Sequence, residues 1–244
     1  MEVARTAAEE GAAGFTAVIA DSQTAGTGRH DRPWASSSDE GLWMTALLRP
    51  AMPVAQAPWF TLAAAVAVAE ALRGLGFPAG IKWPNDVLAA EGPLFRRKLC
   101  GIRAEMDVDD EGRLAWVSLG IGLNVRQAAF EEPLASVAAS LAMLQEGEPP
   151  SRARCAAAIL DGVEDVCRAL ETEGFAAVRC RWLALALGLG EEATVRDIDG
   201  EQTGIVRGMD GEGHLLLERS GDCEAYPIVA GDLIFSAREL ASSR

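Results

Sequence analysis

The sequence predicts an α+β fold: a mixed sheet with packed helices over residues 1–188, then a small β-barrel or sandwich over residues 189–244. Three observations lead there. Apolar runs of strand length alternate with long helical patterns through the first part of the chain. After Gly190 the texture changes to short alternating strands between Gly/Asp turns. With 49% of its 244 residues apolar, the chain can bury one substantial core and a small satellite.

The elements follow in order. Residues 2–10 have helix-forming composition, and Gly11 and Gly14 punctuate before a short buried-strand pattern at 15–20. Residues 23–40 are too polar for a core and too glycine-rich for a regular element, so they read as a long loop. Residues 42–48 form a strand, and 59–75, rich in Ala, Val and Leu, a helix packed on several sides. Residues 81–88 look like a strand interrupted by Pro84, which cannot donate a ladder hydrogen bond and suggests an edge or a bulge. A hairpin is expected from 98–106 and 115–123 around the turn at 109–112, and a long amphipathic helix over 152–173. A short linker near 187–191 leads to strands at 193–198, 203–207 and 214–218.

Net charge is −14, from 22 Lys+Arg against 36 Asp+Glu, so binding to a nucleic-acid backbone would oppose the field of the whole molecule. A nucleotide in a pocket is not excluded, because close cations outweigh a distant field screened within about 10 Å. Cys100, Cys155, Cys167, Cys180 and Cys223 lack the two-residue spacing of zinc sites and read as reduced core thiols. No metal-ligand set is expected. The charged, Ala-rich start lacks a signal peptide's apolar core, and no window reaches the ~18 uninterrupted apolar residues of a membrane span. A cytoplasmic protein with no membrane partner is the expectation.

Four segments carry chemistry. In residues 23–34, Gly26 and Gly28 precede Arg29 and Arg32; glycines allow close backbone approach and guanidiniums supply forked donors for phosphate oxygens, although an ordinary exposed loop has the same composition. Lys82, Trp83, Pro84, Asn85 and Asp86 place an ammonium, an amide and a carboxylate in an otherwise apolar strand, where unpartnered polar groups cost roughly 1–3 kcal/mol each. A salt-bridged strand end is the bland alternative. Lys98 enters a strand with Gly101 leaving space beside it, and Gly120 and Gly122 lie inside another strand, which favours close approach of a ligand. The second pair lacks the full fingerprint of a dinucleotide-binding turn.

Taken in this order, Lys82 to Asp86, Arg97 to Gly101, Gly120 to Asn124 and the loop from Gln23 to Trp34 resemble the biotin protein ligases, and the resemblance spans residues 2–236. It implies a biotin/lipoate ligase-like catalytic domain at 1–188 and an SH3-like barrel at 189–244, with strands within 204–217 and 227–235. It further implies ATP and biotin as substrates with Mg2+, formation of biotinyl-5′-AMP, and transfer of biotin to a lysine, near a Met, in the biotin carboxyl carrier domain of a carboxylase. By the family pattern Lys98 is the main electrostatic catalyst, touching the biotin carboxylate and the α-phosphate. Arg29 holds the activated phosphate and carboxylate, and Arg32 the departing pyrophosphate. Asn85 and Asn124 contact nucleotide or metal-bound water; Gln23 and Gly26 line the biotin side; Gly101, Gly120 and Gly122 leave room for the ureido ring and tail. Trp34 closes the loop over the adenylate, and the loop is expected to be mobile when empty. A lipoate or octanoate ligase of the same fold and a non-catalytic biotin-binding protein are the alternatives, and a homodimer is allowed.

The loop departs from the family pattern at Thr27, His30 and Asp31, while both arginines assigned to chemistry are retained. No role is assigned to His30. Family members carry a strand and a Ser-Thr-Asn motif before the first helix; this chain starts after that point, so a start further upstream or weaker biotin binding is expected. The same short start is expected to leave no room for an N-terminal DNA-binding domain.

Overall fold

The computed structural model describes residues 1–34, 36, 38–222 and 224–235. The Ala-rich start forms α1 (Glu2–Glu9), and its buried Ala8 packs on Leu47 and Trp116 in a small cluster of its own. Strands β1 (Thr16–Ala20) and β2 (Gly41–Leu48) pair antiparallel, and β2 is buried along its whole length. Burial on both faces explains a run that is apolar but for Thr45: Leu47 faces the α1 cluster, while Leu42, Met44 and Leu48 face the main core.

Helix α2 (Ala57–Gly74) starts with Pro58 in its first turn, where a missing N–H costs nothing. Every residue from Leu62 to Ala69 is buried, because the helix packs against the sheet on one side and two later helices on the other. By length and hydropathy α2 would suffice to cross a bilayer, but that composition is what a central core helix needs. Then come β3 (Ala79–Lys82), β4 (Asp86–Ala89), β5 (Lys98–Val108) and β6 (Leu114–Asn124). Pro84 sits in the tight turn between β3 and β4, after a cis Trp83–Pro84 bond, so it interrupts no ladder. The β5–β6 turn is closed by the Asp109 carboxylate, which accepts from the backbone N–H of Glu111 (3.0 Å) and Arg113 (2.8 Å).

The strand order is β1-β2-β6-β5-β4-β3, and every neighbouring pair is antiparallel. The mixed sheet expected from the sequence is therefore corrected. The helical crossover α2 does join two strands of like direction, β2 and β3, but β6, β5 and β4 lie between them. Among the described residues parallel pairing is confined to isolated bridges, Ile81 with Ala186 and Lys98 with Ala138.

A single turn of helix, α3 (Leu141–Leu144), precedes α4 (Arg152–Glu173), whose first turn is capped by the Ser151 hydroxyl accepting from the Arg154 N–H at 3.2 Å. Cys155, Ile159, Val163, Val166 and Leu170 form its buried stripe, as the spacing predicts. Helix α5 (Phe175–Leu185), which the sequence reading lacked, begins after Gly174 at φ 78°. Cys180 on α5 is exposed, so the expectation of core thiols fails there; Cys100, Cys155 and Cys167 are buried, all four are free, and Cys223 lies outside the described residues.

The second sheet contains β7 (Glu192–Asp197), β8 (Gly200–Met209), β9 (Leu215–Glu218), β10 (Tyr226–Ile228) and β11 (Asp232–Ile234) in the order β10-β9-β8-β7-β11, again all antiparallel. The expected SH3-like barrel is not formed: among the described residues β10 and β11 are the two edges and exchange no ladder bonds. Five flat strands would separate these edges by about 19 Å, at ~4.8 Å per strand, more than the ~14 Å that the short link from Ile228 to Asp232 can span. The sheet must therefore curl, yet β10 and β11 do not meet in a ladder among the described residues. Its buried Val195, Val206, Leu215, Leu217 and Leu233 belong to the same apolar cluster as α2 and the first sheet.

Candidate functional site

Strands β5 and β6 pair so that Gly101 lies opposite Gly122 and Arg103 opposite Gly120. With no side chains at Gly101, Gly120 and Gly122 the sheet surface is recessed, and above it lies a cavity of about 290 Å³. The space is closely used. A Cβ on Gly122 would come within 2.8 Å of the Trp34 indole, one on Gly101 within 2.9 Å of the same ring, and one on Gly120 within 2.6 Å of the Met1 sulfur. The recess expected to receive a ligand ring and tail thus holds Trp34 in this structure. The Trp34 indole N–H is buried without an acceptor among the described residues, and its ring meets Trp43 edge-on with centroids 6.5 Å apart.

Lys98 opens β5 and is fixed through its backbone: its N–H donates to the Val137 carbonyl at 2.7 Å, and its carbonyl accepts from the Ala139 N–H at 2.9 Å. Its ammonium lies 2.6 Å from Asp86 Oδ1 and 5.1 Å from the centre of a Trp34 ring. Lys82 approaches the other Asp86 oxygen at 3.6 Å. Burial alone would push the Asp86 carboxyl up; the charges of Lys98 and Lys82, the Lys98 hydrogen bond and the more distant Arg29 outweigh it and hold the group below the ordinary carboxylate range. A carboxylate between two ammoniums leaves this wall cationic. Beside it, burial pushes the Cys100 thiol far up, which removes it as a nucleophile.

The opposite wall is the loop of residues 23–34. It is a tight self-bonded turn: Gly28 N–H donates to Arg32 O at 2.8 Å, and Trp34 N–H to Gly26 O at 2.8 Å. A Cβ on Gly26 would lie 2.5 Å from the Trp34 carbonyl oxygen, so the turn closes only with glycine there. Arg29 Nη1 donates to Asn85 Oδ1 (3.1 Å), to Gly231 O (3.2 Å) and to Asp232 Oδ1 (3.2 Å). Arg32 pairs with the other Asp232 oxygen at 2.8 Å. From β5, Arg103 donates to the Gly28 carbonyl at 2.8 Å and to the Thr27 hydroxyl at 3.0 Å. The loop is thus tied from three directions, by Asn85, by the start of β11 and by Arg103 of β5.

Of the sequence-predicted residues, Gln23, Arg29, Arg32, Trp34, Asn85, Lys98, Gly101, Gly120 and Gly122 line this one cavity, although they come from four segments of the chain. Two others do not reach its wall. Gly26 shapes the loop from within, and Asn124 is buried, donating to Ala139 O (3.0 Å) and Lys98 O (3.4 Å), where it fastens the end of β6 to the start of β5. Sequence reasoning missed Arg103 and Asp232 and gave Asp86 no role. Nothing local marks Asp232 apart from an ordinary turn aspartate; Asp86 was visible inside its motif, but its place between two lysines depends on the β3–β4 turn.

Comparison with known proteins decides the family. A model described as the biotin/lipoate A/B protein ligase family matches residues 9–124. The biotin–[acetyl-CoA-carboxylase] ligase of Paracoccus denitrificans is 32% identical over 89% of this chain and 90% of its own length. The chain belongs to the biotin protein ligase family. The bifunctional ligase/repressor BirA of Bacillus subtilis is 39% identical over 89% of the chain, which spans 64% of that relative's length. The solved biotin protein ligase of Aquifex aeolicus, in complex with biotin and ATP, superimposes with a TM-score of 0.77 at 26% identity, covering 94% of this chain and 92% of that one.

Proposed function

We propose that the chain is an ATP-dependent biotin protein ligase that forms biotinyl-5′-AMP and passes biotin to a lysine of a biotin carboxyl carrier domain. The observation that carries this reading is the convergence of Lys98, Arg29 and Arg32 around one recess floored by Gly101, Gly120 and Gly122. An apolar tail needs the glycine floor, whereas a carboxylate attacking a phosphate needs fixed cations where negative charge develops. In the first step a biotin carboxylate oxygen bonds to the α-phosphorus and the bond to the pyrophosphate oxygen breaks. In the second, the carrier amine attacks the acyl carbon, AMP leaves with the bonding pair, and the amine gives up its proton.

Lys98 contacts the carboxylate and α-phosphate, Arg29 steadies both, and Arg32 receives the pyrophosphate side. Asp86 aligns the Lys98 ammonium, and Asn85 and Gln23 supply polar edges. Trp34 yields the recess to biotin and closes over the adenylate, keeping water from the mixed anhydride. Its unpartnered indole N–H supports that movement, since a ligand oxygen can satisfy it. Mg2+ is bound mostly through phosphate and water oxygens, so it would enter on the triphosphate. Among the described residues no three His, Cys, Asp or Glu side chains converge on a metal; Asp86 and Asp232 are the cavity carboxylates able to add an oxygen. Free thiols and the use of ATP fit a cytoplasmic setting.

The test is transfer of labelled biotin, with Mg-ATP, to a purified carrier domain, run beside lipoate with a lipoyl domain. Label on the biotin carrier alone is the expected result. Label on the lipoyl domain would replace the substrate assignment, and biotin binding without pyrophosphate release would leave a binding protein.

A further inference from the structure

Asp232 is the first residue of β11, at an edge of the second sheet, yet its carboxylate lies against the loop at the front of the first. One oxygen is 3.2 Å from Arg29 and the other 2.8 Å from Arg32, and the preceding Gly231 carbonyl also accepts from Arg29 at 3.2 Å. Two guanidiniums three residues apart repel each other unless an anion sits between them. Here the anion is supplied by a part of the chain some 200 residues later in sequence. Position 231 reinforces the approach: Gly231 has φ 145°, and a Cβ there would come within 2.7 Å of Val195 and 2.9 Å of the Arg196 carbonyl, so the backbone carrying Asp232 has little latitude.

We infer that Asp232 is a positioning residue of the adenylation site: it gathers Arg29 and Arg32 in the empty protein and surrenders them to the polyphosphate. The inference rests on the adenylating reading above. Both ion pairs are partly exposed, with about a quarter of the Arg29 side chain and half of Arg32 in contact with solvent, so they exchange readily for a more highly charged partner. Phosphate oxygens offer the same forked geometry as a carboxylate with more negative charge. The second sheet therefore acts on the chemistry of the first through one side chain. Arg103, holding Thr27 and Gly28 from β5, keeps the root of the loop in place while the arginines change partner.

The experiment compares full-length wild-type protein, Asp232→Asn and Asp232→Glu without biotin or ATP. Trypsin cleavage after Arg29 is followed by mass spectrometry, and binding of inorganic pyrophosphate alone is followed by calorimetry. Asp232→Asn is expected to be cut at least about fivefold faster, with an unchanged thermal midpoint, because the loop is released while the fold is not. It is also expected to bind pyrophosphate about threefold or more tightly, since a competing anion has gone; Asp232→Glu should restore most of both properties. Wild-type cleavage rates in Asp232→Asn, or weaker pyrophosphate binding, would overturn the inference. Wild-type protein that binds pyrophosphate but makes no biotinyl-adenylate would sink the ligase reading and leave the positioning role standing, so the two failures are distinguishable.

Discussion

Lys98 and Asp86 show how a cation is fixed at a place where charge must develop. Lys98 is held at its backbone by Val137 and Ala139 and at its tip by Asp86, so few of its rotamers remain to be lost when anions arrive. Replacing it with Ala should lower single-turnover adenylate formation by about 10²–10³-fold, the usual cost of removing one preorganised donor. A variant working at near the normal rate would remove Lys98 from the chemistry. Asp86→Asn leaves two ammoniums with a neutral partner and should destabilise the protein by roughly 1–3 kcal/mol at neutral pH. The sign of its pH dependence follows from a folded-state pKa held below the ordinary 3.8. A carboxylate depressed in this way contributes stability above its unfolded pKa, and loses it as pH falls through the folded value. Urea unfolding should show a constant gap between wild type and Asp86→Asn from neutrality to about pH 5, narrowing below about pH 4. A gap that widens on acidification would contradict the assignment.

The paired strands β5 and β6 build the floor of the site by omission. Their register puts Gly101 across from Gly122, and the room so created is filled by Trp34. Gly122→Ala places a carbon about 2.8 Å from the indole, which must shift. The same carbon projects into the recess that biotin is proposed to take from Trp34, and because overpacking costs about 1–3 kcal/mol, the biotin KM should rise by about tenfold while the ATP KM is spared. Equal loss for both substrates would mean that the strand, and not the recess, had been damaged. The glycines themselves were legible in the sequence, since two glycines inside a strand have little other use. Their partner was not, because Trp34 reaches them only after the loop turns back through Gly26 and Gly28.

At the scale of the whole molecule, the second sheet is fastened to the first layer by several independent contacts. Trp59 and Trp83 donate their indole N–H groups to the carbonyls of Glu212 (2.9 Å) and Gly213 (3.2 Å), and Arg179 donates to Met209 O at 2.8 Å; the Trp59 ring is itself held within the helical layer by stacking on Phe175 of α5, centroids 4.9 Å apart. With apolar residues of both sheets in one cluster, calorimetry should record a single cooperative unfolding transition. Two resolved transitions would show that the sheets are energetically separate. The same fastening holds Asp232 at the loop, because β11 can present its carboxylate there only while the sheet is docked.

Sequence alone determined the elements whose information is local. The stripe of α4, the all-round burial of α2, the β5–β6 hairpin and the glycines of β6 are written in spacing that any neighbouring segment would read the same way. The ordered motifs that resemble the biotin protein ligases, rather than the residue chemistry alone, are what named Lys98, Arg29, Arg32 and Asn85, and the structure brings all four to one cavity. Tertiary structure decided the rest. Whether the sheet was mixed or antiparallel depended on which strands became neighbours, and whether the second sheet closed depended on whether its two edges met in space. Asp232, Arg103 and Asp86 acquired their places only when distant segments met, because an ion pair depends on distance in space and leaves no mark on spacing along the chain.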